Sequence, residues 1–275
     1  MSLEQEPRSD LEALAARMAD WAGTFSLALG PDCVAAARRQ VADDPLGAVC
    51  SAADLARPDS GVPEEFVRRH AEARGLPYGR HAASLVFQRY AHRVAGVAVA
   101  AWVAQDLVPQ LRLDSVQVLV TGGSPTRLLL PQPEVLRDVD AEQVVQLIVD
   151  EHLAVVAESL HEVARVGMAN LWGNMGAAIA GAARSLSKHF PAAQVRDKGE
   201  ALLATRPGLA RSGTFRYLDG PLGQRLFFDR RSCCHWYVVP DGQYCSWCSL
   251  LTHEERTAKF TAAMHKEAHP DNATI

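Results

Sequence analysis

Apolar residues recur every three to four positions through most of the first two-thirds of the chain, the spacing that gives a helix one buried face. Leu11, Leu14, Met18, Trp21 and Phe25 make the first such run, with Asp10 placed to cap it. Helical patterns recur over residues 32–39, 63–74, 80–108 and 140–166. The last carries Val144, Leu147, Ile148, Val155 and Leu160 behind a second cap at Asp140. Between the two longest patterns the period changes. Residues 116–120 and 126–130 are short β-rich runs on either side of Thr121-Gly122-Gly123-Ser124-Pro125, and they predict a hairpin.

A stretch rich in glycine and alanine follows from Leu171 to Arg184, with Gly173, Gly176 and Gly181 inside an otherwise helical pattern. Each glycine costs a helix about 1 kcal/mol against alanine, so the repetition needs a reason. Close approach of a second helix is one; room for a bulky ligand beside Trp172 and Asn174 is the other. Helix is predicted again to about Thr205, and Pro207-Gly208 reads as a linker. Beyond it, residues 214–218, 225–228 and 235–239 read as strands joined by turns at Asp219-Gly220-Pro221-Leu222-Gly223 and Asp241-Gly242. From His253 a polar helix fades into Pro270-Asp271-Asn272.

The pattern predicts a mainly α fold with small β elements (α+β). Residues 1–205 form a helical domain containing the hairpin, 206–251 a small strand-rich module, and 252–275 a polar tail. So small a module has little core of its own and would lean on a bound centre for stability.

Composition narrows the class. Of 275 residues, 48% are hydrophobic and 22% charged, the balance of an ordinary globular protein. The net charge of -4 gives no reason to expect nucleic acid as a partner. The longest apolar stretch, residues 94–103, falls well short of the about 20 residues that span a bilayer, so it reads as a buried helix. No transmembrane segment is expected, although peripheral association with a membrane face stays compatible with this composition. The chain opens Met1-Ser2-Leu3-Glu4, without the charged and apolar regions of a secretory leader, so the reducing cytoplasm is the expected location.

Candidate chemistry concentrates in sixteen residues: Cys233-Cys234, then ten residues that fold back at Pro240-Asp241-Gly242, then Cys245-Ser246-Trp247-Cys248. Four soft donors so close together suggest a soft metal centre. Structural zinc sites usually pair their ligands as Cys-x2-4-Cys, whereas the first pair here has no spacer. Vicinal side chains in an extended strand point to opposite faces, so two adjacent cysteines meet one centre only if the backbone bends or the centre offers two metal atoms. A [2Fe-2S] rhomb does, with two ligands per iron. Zinc and a disulfide remain the alternatives. Cys33 and Cys50 lie outside the motif, each among alanines and valines in a helical context, and read as small buried hydrophobes.

The segment Arg230-Arg231-Ser232-Cys233-Cys234-His235-Trp236-Tyr237, with Cys245 and Cys248 after the turn, resembles the C-terminal signature of the FhuF-type ferric siderophore reductases. Ser84-Leu85-Val86-Phe87-Gln88-Arg89-Tyr90 and Leu171-Trp172-Gly173-Asn174 resemble two recurrent stretches of that family's larger N-terminal part, so the likeness runs from about residue 75 to 251. It implies that Cys233, Cys234, Cys245 and Cys248 hold a [2Fe-2S] cluster and that the helical domain binds a ferric siderophore. One departure is Ser246-Trp247 between the last two cysteines, where family members often carry small or acidic residues. The indole there either shields the centre or replaces part of a substrate contact.

A cluster on four thiolates is a one-electron carrier of low potential. Ferric iron in an oxygen-donor chelate is a fitting acceptor, because hard ligands favour Fe(III) and loosen their hold on Fe(II). The resemblance therefore implies an enzyme, a cytoplasmic ferric siderophore reductase that releases Fe(II). Its electrons are expected from a protein donor such as a ferredoxin or flavoprotein, since Gly173-Asn174-Met175-Gly176 lacks the strand-glycine-helix context of a nucleotide site. Between Arg206 and Arg231 six arginines (Arg206, Arg211, Arg216, Arg225, Arg230, Arg231) face only Asp219 and Asp229. They are either a solvated strand face or a cationic collar for an anionic partner. Candidate substrate residues are Arg89, Arg93, Trp172, Arg230, Arg231 and Trp236. His81, Gln88 and His92 share neighbouring faces of one helix with Arg89 and Arg93. Trp236, Tyr237 and Trp247 are placed to cover the sulfurs. Two other readings fit the same residues: a zinc-stabilised protein that binds a siderophore or a partner, and a [2Fe-2S] electron carrier or redox sensor without a small-molecule substrate.

Overall fold

One helix, too apolar on every side to sit at a surface, organises the molecule. It is reached through α1 (Gln5–Trp21), a 3-10 turn at Gly23–Phe25, β1 (Leu27–Leu29), α2 (Cys33–Gln40), β2 (Ala48–Ser51), α3 (Ala52–Leu55) and α4 (Val62–Ala73). The helix itself is α5 (Arg80–Gln105), buried along nearly its whole length, from Ala82 to Val103. β3 (Leu107–Pro109), β4 (Gln117–Thr121), β5 (Ser124–Leu130) and β6 (Val135–Arg137) follow. α6 (Ala141–Val145) then runs through a π-helical stretch, Gln146–Leu153, into α7 (Ala154–Ala164). After α8 (Met168–Leu186), α9 (Ala192–Ala204) and α10 (Pro207–Ala210) come the hairpin strands β7 (Gly213–Gly220) and β8 (Gly223–Arg230), a 3-10 turn at Trp236–Val238, and α11 (His253–Ala268). The structure, a computed structural model, describes residues 5–240 and 242–268, with side chains from residue 10 onward. Met1-Ser2-Leu3-Glu4, Asp241 and Pro270-Asp271-Asn272 lie outside the described residues.

The fold is mainly helical with small β elements, as the pattern predicts, and the described residues form three small sheets. β4 and β5 form the expected hairpin, Thr121 opposite Ser124, with Gly122 and Gly123 at φ 50° and 69°. Positive φ at both central residues is what a tight hairpin turn demands, and a side chain on Gly123 would also collide with the Arg69 carbonyl and Ala73. The hairpin sits inside a four-stranded sheet of order β1-β5-β4-β2. Its flanking strands of three and four residues are too short to show a period in the sequence.

Several boundaries move for physical reasons. Asp10 caps nothing, because α1 begins earlier, at Gln5; its carboxylate instead pairs with Arg137 at 2.6 Å. The apolar run through Phe25 breaks after Trp21 into a 3-10 turn. α5 stops at Gln105, where Asp106 turns left-handed (φ 50°), and Leu107 and Val108 pair with β6 rather than extending the helix. Asp140 does cap α6, in a reciprocal box with Gln143. Pro207-Gly208 is no linker: it is the first turn of α10, with Gly208 pressed on the Trp172 ring. Residues 235–239 are not a strand, because His235 adopts φ 66° and the chain coils into the 3-10 turn. Cys50 lies in β2, not in a helix. Residues from His253 do form a polar helix, but it buries Phe260 and Met264 against Phe227.

Candidate functional site

The glycines of α8 explain how the cysteine segment reaches the core. A Cβ at Gly173 would overlap Ser232, one at Gly176 would overlap Ser212, and one at Gly181 would meet the His92 ring. The close approach expected at these positions is therefore partly to α5, through His92, and partly to the segments that precede and follow the β7–β8 hairpin. With no side chains in the way, Ser232 packs on α8 and the next two residues, Cys233 and Cys234, come to lie over the junction of α5 and α8.

A buried polar network fixes them there. Asn170 Nδ2 donates to the Cys233 carbonyl. Ser84 Oγ lies 2.6 Å from Asn170 Oδ1 and 3.3 Å from the Cys234 carbonyl, with one proton to share. Asn174 Nδ2 donates to Ser84 O at 3.1 Å and Ser84 Oγ at 3.2 Å, while its Oδ1 accepts from Arg230 Nη2. The two upstream stretches, on α5 and α8, thus meet each other and the cysteine loop through Ser84 and Asn174. Asn170 was not singled out in the sequence; an isolated asparagine carries no recognisable spacing.

Cys234 and Cys248 are buried, and Cys233 and Cys245 are half-buried. The left-handed turn at His235 bends the backbone after the vicinal pair, and the His235 N–H points back at Cys233 Sγ, 3.3 Å away. Cys248 N donates to Cys245 O at 3.0 Å, closing the second pair into a tight turn. Interaction with the Cys245 thiol, helped by Arg230, holds the Cys234 thiol below the ordinary cysteine range, while Cys245 is pushed up. Arg230 is 1% exposed, and burial lowers its pKa against the opposing pull of all four cysteines. Its Nη1 has no acceptor among the described residues. A buried guanidinium beside four thiols, with no carboxylate on it, is an environment suited to thiolates and to an anionic centre built on them. Among the described residues, no group of three or more His, Cys, Asp and Glu side chains converges on the position of a single metal ion. Cys33 belongs to a separate small cluster with Leu119 and Leu129, and burial pushes the Cys50 thiol up to about 12.

The other candidates divide into two places. On one side Arg74 lies over the Trp236 ring at 5.5 Å, and burial followed by the Arg74 charge lowers the pKa of Arg89. Arg93 is committed to the fold, donating to Gly23 O at 2.8 Å and Pro125 O at 3.2 Å. His81 meets His235 edge-on at 4.7 Å, and burial, then Arg230, drives His92 to about 3. Trp247 packs toward the core beneath Arg184, whereas Tyr237 is exposed. Elsewhere, Trp172 and Arg231 share a cavity of about 530 Å³ with Gly208, Arg211, Ser212 and Ser232. The arginine run is not one collar. Arg206 is held by Glu142 and Asp150, each at 2.6 Å, Arg216 pairs with Asp229 at 2.9 Å, and Arg230 is interior.

No curated protein matches the chain. Among solved structures, the aerobactin synthetase IucC from a hypervirulent pathotype of Klebsiella pneumoniae superposes with a TM-score of 0.42 at 12% identity, covering 59% of this chain. The chain spans only 32% of that protein's length. No helix among the described residues is long and apolar enough to cross a membrane. The family model described as "Ferric iron reductase FhuF-like transporter" matches residues 84–218, a stretch that contains Ser84, Asn170 and Asn174 and ends before the four cysteines. Over that stretch, from α5 to β7 and just under half of the chain, it is similar to the FhuF-like ferric iron reductase family.

Proposed function

We propose that this protein is a ferric siderophore reductase in which Cys233, Cys234, Cys245 and Cys248 hold a [2Fe-2S] cluster. The observation that carries the proposal is the burial of Arg230 within electrostatic reach of all four cysteines, tied through Asn174 and Ser84 to helices of the stretch that resembles the family. When bound, such a cluster supplies a single low-potential electron. Thiolate is the form that ligates; the interior cation Arg230 and the His235 N–H act toward it, against the burial that raises the Cys233 thiol. Half-exposure of Cys233 and Cys245 leaves a short path for an electron between the site and a molecule at the surface. The substrate gains that electron and its iron passes from Fe(III) to Fe(II), which hard oxygen donors hold less firmly, so the metal can leave. A protein donor returns the electron.

Anaerobic reconstitution with iron and sulfide tests the reading. The expected product is brown, binds two irons and two sulfides per chain, and, once reduced and desalted, releases Fe(II) from ferric siderophores onto a ferrous trap in step with its own reoxidation. A colourless protein that takes up one zinc per chain would overturn it. So would a cluster that stays reduced with every ferric chelate yet reoxidises readily with a protein acceptor.

A further inference from the structure

The cavity beside Trp172 has the size of a small-molecule site, about 530 Å³, within the range of roughly 300–1,000 Å³ common for such pockets. Among the described residues its lining carries no Asp or Glu. Arg211 and Arg231 are exposed and have no carboxylate partner among the described residues, whereas Arg206 at the same cavity is already neutralised by Glu142 and Asp150. Ser212, also in the lining, is 2% exposed, and its hydroxyl is packed against Gly176 of α8 rather than turned into the cavity. The indole of Trp172 is pinned by Gly208, whose backbone lies against the ring. Ser232, at the cavity wall, is the residue before Cys233.

From this we infer that the cavity is the chelate site of the reductase proposed above and that it selects ferric chelates of net negative charge. Two unneutralised guanidiniums gain from an anionic chelate and repel a cationic one. Carboxylate or phenolate oxygens would accept from Arg211 and Arg231, while the organic frame rests on Trp172. An occupant here sits next to the cysteine loop, which suits transfer of an electron without movement of the fold.

Gallium(III) chelates test the site apart from the electron transfer, because Ga(III) takes the place of Fe(III) but is not reduced. Titration calorimetry is done with anionic Ga(III) citrate and with the Ga(III) complex of a linear trihydroxamate bearing a free ammonium. The wild-type protein is expected to bind the citrate complex in preference, and Arg211→Glu and Arg231→Glu are each expected to weaken it by about tenfold or more, as loss of a charge-assisted contact would. Arg112→Glu, at a different cavity, should leave it unchanged. Equal affinity for the cationic complex, or indifference to both reversals, would overturn the inference. If the reversals fail to act while the reduced protein still releases Fe(II) from ferric chelates, the site is wrong and the reductase reading stands. If they act as expected but no chelate is ever reduced, the anionic-chelate site is supported and the reductase reading falls.

Discussion

The guanidinium of Arg230 donates to the side-chain carbonyl of Asn174, and the two residues are 1% and 0% exposed. This contact joins the end of β8 to the middle of α8, and so the cysteine loop to the helical core. It also leaves a positive charge in the interior with no carboxylate on it among the described residues.

Arg230→Gln keeps a hydrogen-bond donor and removes the charge. The reconstituted variant should show a more negative midpoint potential than the wild type, read by potentiometric titration, because an anionic centre loses its nearest cation. Arg230→Leu leaves Asn174 Oδ1 unpaired as well and should cost a further 1–3 kcal/mol or about that in urea unfolding. A midpoint unchanged in Arg230→Gln would show that the guanidinium is structural only.

Serine in place of Cys233, Cys234, Cys245 or Cys248 should deplete both iron and sulfide after anaerobic reconstitution. Cys33→Ser and Cys50→Ser should leave both at wild-type levels, since one sits in a small apolar cluster and the other in β2. Metal and acid-labile sulfide analysis decides it. A silent change within the motif, or loss of the centre on changing Cys33 or Cys50, would contradict the assignment.

Alanine at Gly173 or Gly176 raises helix propensity yet should destabilise the protein. The new methyl group meets Ser232 or Ser212, and overpacking of this kind costs about 1–3 kcal/mol. Gly173→Ala should in addition lower cluster occupancy, because Ser232 carries Cys233 with it. Thermal melting and iron content, compared between the two variants, separate these effects.

Acid should destabilise the helical core in a defined window. His152 donates from Nδ1 to Leu111 O and accepts from Tyr90 OH at Nε2, so it is buried as the neutral base, and burial lowers its pKa to about 4. His70 is likewise lowered to about 4, chiefly by burial. Between pH 4 and the ordinary histidine value of 6.5 the unfolded chain binds more protons than the folded one, so stability rises with pH. The contribution is complete above pH 6.5 and is lost as pH falls from there toward 4. Each pKa unit is worth about 1.4 kcal/mol. Urea unfolding at pH 7 and pH 5 should show the loss, and His152→Gln should flatten it.

Some of this architecture is legible in the chain alone because it depends on neighbours in sequence. The period of α4, α5 and α8, the reciprocal cap of Asp140 and Gln143, the Gly122-Gly123 turn and the clustering of four cysteines are local, and local rules of spacing and backbone freedom reach them. The same rules fail at Asp10 and at Pro207-Gly208, where both residue types fit their expected roles but packing overrides them: Arg137 takes the carboxylate, and the Trp172 ring takes the glycine.

Tertiary structure alone decided which polar residues act together. Ser84, Asn170, Asn174 and Arg230 are separated by as many as 146 positions in the numbering, yet they form one buried network, because α5 and α8 pack side by side and the glycines of α8 admit the loop after β8. The six arginines between Arg206 and Arg231 look equivalent along the chain and are not in space. Two are neutralised by carboxylates, one is interior, Arg225 lines a separate small pocket with Glu267, and Arg211 and Arg231 are left facing a cavity. Charge along a sequence counts residues, whereas the field at a site depends on which of them have already been paired and how far each stands from water.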